Sequence, residues 1–178
     1  DCVKMGLYIL ENRTPDIILS GINHGSNVSS NVLYSGTMAA AIEGALDGIP
    51  SIGFSLTNYS LEADFNPSIK IVKSIIHGVL DNGLKKGTCL NVNIPDVKYD
   101  LIEGIKICRQ GKAFWDDTFD KRIDPLGKEY YWLTGSFSSK DQSLDADVNY
   151  LNLNYVTVVP TQFDMTCYDT IEHLKKWK

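Results

Sequence analysis

Apolar and polar positions follow two periods through the first half of the chain. Residues 1–12 set Val3, Leu7 and Leu10 on one stripe, with Cys2, Met5 and Ile9 beside it and Lys4 and Glu11 outside. That spacing predicts an amphipathic helix. Its apolar face needs a sheet, completed either by something upstream or by the strands that follow. An unbroken apolar run, Ile17-Ile18-Leu19, comes next, led in by Thr14-Pro15-Asp16. Such a run suits a strand covered on both faces, as in a parallel sheet. It breaks at Ser20-Gly21 into a loop rich in Gly, Asn and Ser. A second small-residue turn, Ser35-Gly36-Thr37, opens into MAAAIEGAL. Ala and Leu favour helix there, and Ser35 or Thr37 can cap the first turn.

The alternation continues. Ser51 to Leu56 reads as a strand entered through Gly48 and Pro50. Asn66-Pro67 reads as a helix start, with Asn at the cap and Pro at the first helical position. Ile69, Val72, Ile76 and Val79 form the apolar face of that helix, His77 lies beside them as a structural residue, and Gly83 stops it. Leu90 to Ile94 is a period-two strand ended by Pro95. Strand, helix, strand, helix, strand is the signature of a parallel sheet, so the fold class is α/β.

Beyond Pro95 the pattern changes. Ile102, Ile105 and Ile107 suggest a strand, residues 112–128 are charged and turn-rich, and Tyr130 to Leu133 is an aromatic strand. The two strands around the polar excursion predict a hairpin-type extension. Exposed aromatics on such an arm suit a subunit contact, with substrate stacking by Trp115 or Tyr130 as a second reading. A short helix over Asp147 to Leu153, a β-branched strand over Tyr155 to Val159 ended by Pro160, and a capped C-terminal helix complete the chain. Lys175, Lys176 and Lys178 suit the negative end of that last helix.

Composition narrows the classes. The length of 178 residues suits a single domain over 1–178, with an α/β core portion over 1–95 and the extension and C-terminal region over 96–178. A net charge of -5 without any basic block argues against nucleic-acid polymers as partners. No apolar run approaches the roughly 20 residues of a membrane span. Cys2, Cys89, Cys108 and Cys167 are widely spaced without a CxxC pair. They read as buried or semi-buried free thiols, which fits a reducing cytosol.

The chemistry gathers where the first strand meets its helix. Parallel sheets bind ligands beyond the carboxyl ends of their strands, and the exposed N–H groups of a helix start suit a phosphate. Asn23, His24, Ser26, Asn27, Ser35 and Thr37 supply neutral donors and acceptors, apart from the imidazole of His24. The loop has no Walker A lysine and does not match GxGxxG. From the pattern it is either an anion site or an ordinary surface loop.

The wording of the stretch carries more. It holds Pro15-Asp16, an apolar run, Ser20-Gly21-Ile22-Asn23, Gly25 and Asn27. Tyr34-Ser35-Gly36-Thr37, Ala39 to Ala41, Glu43-Gly44 and Gly48-Ile49-Pro50 follow. Together these closely resemble the core signature of the SurE family of nucleotidases. Later segments, LNVNIP, GIKICRQG, YYWLTG and YVTVVPTQFDMT, resemble that family in the same order. The resemblance implies a Rossmann-like three-layer sandwich with a mainly parallel sheet, a protruding β-hairpin and a C-terminal segment exchanged between subunits. A homodimer or homotetramer is implied.

It also implies a cytoplasmic, metal-dependent phosphomonoesterase acting on nucleoside 5′- or 3′-monophosphates, with Mg²⁺ or Mn²⁺ as cofactor. Asn23 would be the catalytic residue and a metal ligand. Gly21, Asn23, Ser35, Gly36 and Thr37 would bind the phosphate, with Gly21, Gly25 and Gly36 allowing close backbone approach. The family's two adjacent aspartates, in an NDDG motif, occur nowhere in this sequence, and its metal-binding serine has no match. Asp116-Asp117 is an adjacent pair in the wrong context. The remaining ligands are therefore expected upstream of Asp1. The alternative is a non-catalytic phosphate-binding or assembly module. His24 reads as a solvated loop residue rather than a general acid, Glu43 as a structural salt bridge or hydrogen bond, and Asn93 as either a pocket wall or a structural residue.

Overall fold

The computed structural model describes residues 1–177, so the expectation for Lys178 lies outside the described residues. The first helix, α1 (Cys2–Leu10), leads into β1 (Ile18–His24). A 3-10 turn (Ser29–Tyr34) and α2 (Gly36–Leu46) follow, then β2 (Ser51–Leu56), α3 (Ser68–Asn82) and β3 (Thr88–Ile94). The second half holds β4 (Gly104–Ile107), β5 (Ala113–Ile123), β6 (Glu129–Ser139), α4 (Asp147–Asn152), β7 (Tyr155–Gln162) and α5 (Tyr168–Leu174). Five strands form one sheet in the order β1-β2-β3-β7-β4, and β5 pairs with β6 apart from it. All neighbours in the main sheet run parallel except β3 and β7. The architecture is α/β with a mainly parallel central sheet, as expected.

The sheet has two unlike buried faces. Side chains alternate across a strand, so Ile52, Phe54 and Leu56 of β2 share a face with Leu90, Val92 and Ile94 of β3 and with Val156 and Val158 of β7. These pack with Ile71 and Val79 of α3 into the main apolar core. The opposite face carries Ser51, Gly53 and Ser55, then Cys89, Asn91 and Asn93, all buried but small or polar. α2 lies close on that side: a Cβ at Gly53 would meet the Met38 sulfur at 2.5 Å, and one at Gly44 would collide with Ser51 and Ile18. Met38, Ala41 and Ala45 cluster there with Val32 and Cys89. The period-two reading of β3 thus separates two buried environments instead of buried from wet.

Several expectations are corrected. Ile102 to Ile107 does not pair with the aromatic strand; β4 joins the main sheet beside β7. The charged stretch 112–128 is mostly β5, which pairs with β6 over eleven residues a side from Ala113–Ser139 to Ile123–Glu129. Charges read as turn because both faces of an isolated ribbon meet solvent. Asn66 does not cap α3; its side chain donates to Asp64, and the helix begins at Ser68. β7 runs through Pro160 to Gln162, and the C-terminal helix shortens to α5, which buries no residue. Cys2 and Cys167 are exposed, while Cys89 and Cys108 are buried. His77 is exposed on α3. Glu43 does bridge helices, 3.3 Å from Lys4 of α1.

Candidate active site

β1 slips register against β2 at Gly21 and Ile22, between the Ser20–Gly53 and Asn23–Ser55 pairs. A bulge of this kind re-aims the residues after it. Gly21 is required for the fold itself, since its φ is +103° and a side chain would collide with the Phe54 carbonyl. Gly25 has φ +81° and lies against the Tyr59 ring. Both glycines therefore lie close against neighbouring protein.

Asn23 leaves the bulge with its Nδ2 donating to the Gly25 carbonyl at 3.0 Å. Its Oδ1 accepts nothing among the described residues and is available to a ligand. Asn23, Ser35, His24, Tyr59 and Trp115 line a cavity of about 340 Å³. Ser35 is the N-cap of α2, its Oγ accepting the Met38 N–H at 3.0 Å. The hydroxyl hydrogen remains to be donated outward. The N–H groups of Gly36 and Thr37, in the first turn, have no acceptor within the helix. Open space lies in front of Gly36. The Thr37 methyl faces Gly53, so that side chain leans over the sheet. Asn23 and Ser35 thus meet in one cavity, whereas Gly21, Gly36 and Thr37 are not among the residues that line it. His24 packs edge-on against Phe65 with ring centroids 5.0 Å apart, so it is more than a solvated loop residue.

The loop between these residues is tied down by buried amides. The Asn27 N–H donates to Asn93 Oδ1 at 2.7 Å, and Asn27 Nδ2 donates to Ser55 Oγ at 2.6 Å. Asn91 Nδ2 donates to the Asn27 carbonyl at 2.8 Å, and Asn93 Nδ2 to Asn91 Oδ1 at 3.0 Å. Asn93 is fully buried and spent on hydrogen bonds to Asn27 and Asn91, which gives it a structural role. A second anchor was not legible in the sequence. The buried Asp147 carboxylate accepts from the Ser29 N–H and Oγ, the Gly111 N–H and the Val148 N–H, at 2.7 to 3.0 Å. Ser29 is held there at φ +53°. The only hint along the chain is an acid set between Ala146 and Val148.

Charge is sparse around the cavity. Arg109 makes a paired contact with Asp141, 2.8 and 2.9 Å, and reaches Asp145 at 3.1 Å, fastening the segment before α4. The guanidinium holds the Asp141 carboxyl well below the usual range. Burial pushes the Cys89 and Cys108 thiols up to about 11, which leaves them protonated and unreactive at neutral pH. Among the described residues no three His, Cys, Asp or Glu side chains gather as a metal would require. One neutral amide oxygen does not make a site for a hard dication, which wants carboxylates. The described residues alone therefore do not fit a bound Mg²⁺ or Mn²⁺. Asp116 and Asp117 offer no substitute, since consecutive strand residues face opposite ways.

A family model described as Survival protein SurE matches residues 1–117. The chain belongs to the SurE family. A protein named 5′-nucleotidase SurE from Christiangramia forsetii is 55% identical over 177 residues, 99% of this chain and 68% of that protein. One of the same name from Cytophaga hutchinsonii is 51% identical over 180 residues, 100% of this chain and 70% of that protein. The crystal structure of the SurE protein from Aquifex aeolicus superposes with a TM-score of 0.85 at 39% identity, covering 98% of this chain and 71% of that one. The stretch that resembles the family's signature lies at the β1–α2 junction just described.

Proposed function

We propose that this SurE chain hydrolyses nucleoside monophosphates to nucleoside and phosphate at the β1–α2 junction. The observation that carries the reading is that Asn23 and Ser35, the N-cap of α2, line one cavity beyond the end of a parallel strand. Relatives named 5′-nucleotidase SurE support the same chemistry, and the reading extends to 3′-monophosphates. Ser35, Gly36 and Thr37 hold the phosphate oxygens and oppose the negative charge that moves onto them in the transition state. Gly21 fixes the bulge that aims Asn23, and with Asn23 it completes the phosphate-binding set.

The activity would depend on a divalent cation, Mg²⁺ or Mn²⁺, toward which Asn23 would offer one oxygen. No carboxylate cluster that would complete its coordination gathers among the described residues. Residues 1–178 act as one domain. The hairpin and the exposed Phe163, Tyr168 and Trp177 around α5 serve self-association as a homodimer or homotetramer. The protein works in the cytoplasm; no helix among the described residues is long and apolar enough to cross a membrane.

The second reading is a phosphate-binding or assembly module without chemistry. Phosphate release from a panel of nucleoside monophosphates separates the two. It is measured with Mg²⁺ or Mn²⁺ and again with EDTA, on the protein from its natural reading frame. Turnover that EDTA abolishes is expected. Tight nucleotide binding without turnover in either metal would select the module.

A further inference from the structure

A second cavity, of about 650 Å³, lies between the 3-10 turn and the root of the hairpin. Tyr34 and Trp115 belong to the walls of both cavities. We propose that this second cavity receives the nucleobase of the substrate, stacked on Trp115, with the Asp117 carboxylate accepting hydrogen bonds from the base edge. The proposal rests on the nucleotidase reading above and adds to it the part of the substrate that is recognised.

Trp115 is prepared for such a role. Its Nε1–H donates to Asn31 Oδ1 at 3.1 Å, and its ring lies 5.8 Å from that of Phe137. It is nevertheless 45% exposed, so a fixed aromatic face remains open beside the phosphate loop. A base stacks on such a face whatever its identity. Tyr130 cannot share the task, because its partner in the ribbon is Arg122, near the far end of the hairpin.

The polar partner follows from strand geometry. Trp115 and Asp117 are two residues apart on β5 and share a face. Gly135 stands opposite Asp117, so no cross-strand side chain fills the space beside the carboxylate. Leu133 supplies an apolar wall and Ser30 a hydroxyl. The Asp117 carboxylate makes no ion pair and accepts no hydrogen bond from other described residues. No Lys or Arg lines the cavity, so no cation there offsets the charge of a second phosphate. An aromatic wall with an anionic acceptor suits a base that donates. An ionised carboxylate accepts through both oxygens, and guanine presents two adjacent donors, N1–H and the N2 amino group. The cavity therefore prefers guanine to uracil.

The test compares kcat/KM on guanosine 5′-monophosphate, uridine 5′-monophosphate and ribose 5-phosphate for the wild-type protein, Trp115→Ala, Trp115→Phe and Asp117→Asn. Trp115→Ala should raise KM for both nucleotides at least about fivefold more than for ribose 5-phosphate, and Trp115→Phe should restore most of that loss. Asp117→Asn should cut the preference for guanosine over uridine monophosphate about three- to tenfold. Equal losses on all three substrates, or no loss, would overturn the base subsite while leaving the nucleotidase reading intact. Absence of phosphate release from every substrate would instead sink that reading. Calorimetric binding of guanosine then decides the cavity alone: weakening by Asp117→Asn supports it, and no binding to the wild type overturns it.

Discussion

The central sheet buries two faces that do different work. One is made of Ile52, Phe54, Leu90, Val92 and their neighbours under α3, and holds the fold by removing apolar surface from water. The other, made of Ser55, Asn91 and Asn93, is equally buried but satisfies its polar atoms by gripping Asn27 of the loop. Buried amides are costly unless paired. A loop that supplies their partners is thereby fixed in one conformation. The apolar face gives the molecule stability, and the polar face gives the site its shape.

The contrast breaks most visibly at its extremes. Phe54→Ala should cost about 3–5 kcal/mol of stability by cavity formation, read by denaturant unfolding, with the cavity near Asn23 unchanged in the fraction that stays folded. Asp147→Ala leaves the Ser29, Gly111 and Val148 N–H groups without their acceptor. It should cost about 3 kcal/mol and also lower turnover, because the loop start is released. Ser35→Ala removes both a helix cap and a phosphate donor. About 1 kcal/mol of stability should go, together with a rise in KM that the loss of the cap alone would not produce.

The smallest expected effect concerns pH. Arg109 depresses the pKa of Asp141, so the clamp's contribution is complete above the unfolded carboxylate value of about 4 and is lost as pH falls through the lower folded value. The Tm advantage of the wild type over Asp141→Asn should be present at pH 6 and shrink steadily in acid. Equal advantages across that range would show that the segment is held by packing alone.

Much of this was legible in local patterns. The strands β1, β2 and β3, and α2 with its Ser35 cap, follow from short stretches whose chemistry is contained in neighbouring residues. The rest depends on contacts no local pattern records. Ser29 meets Asp147 across 118 positions, and Asn27 meets Asn93 across 66. β4 read as half of a hairpin because a four-residue strand does not announce its partner; β7, arriving later, claims it. The alternation Leu90-Asn91-Val92-Asn93 marked two faces correctly, but only the packed α2 and loop reveal that the polar one is dry.

Adjacent residues of β3 offer the most direct test. Val92→Ala and Asn93→Ala each empty a fully buried position, one on either face. Their kcat/KM values on a nucleoside monophosphate are compared with wild type at a temperature where unfolding curves show both variants folded. The account predicts a loss of about tenfold or more for Asn93→Ala and under about twofold for Val92→Ala, corresponding to about 1.4 kcal/mol or more of site geometry carried by the amide. Equal losses from the two would contradict the division of labour between the faces.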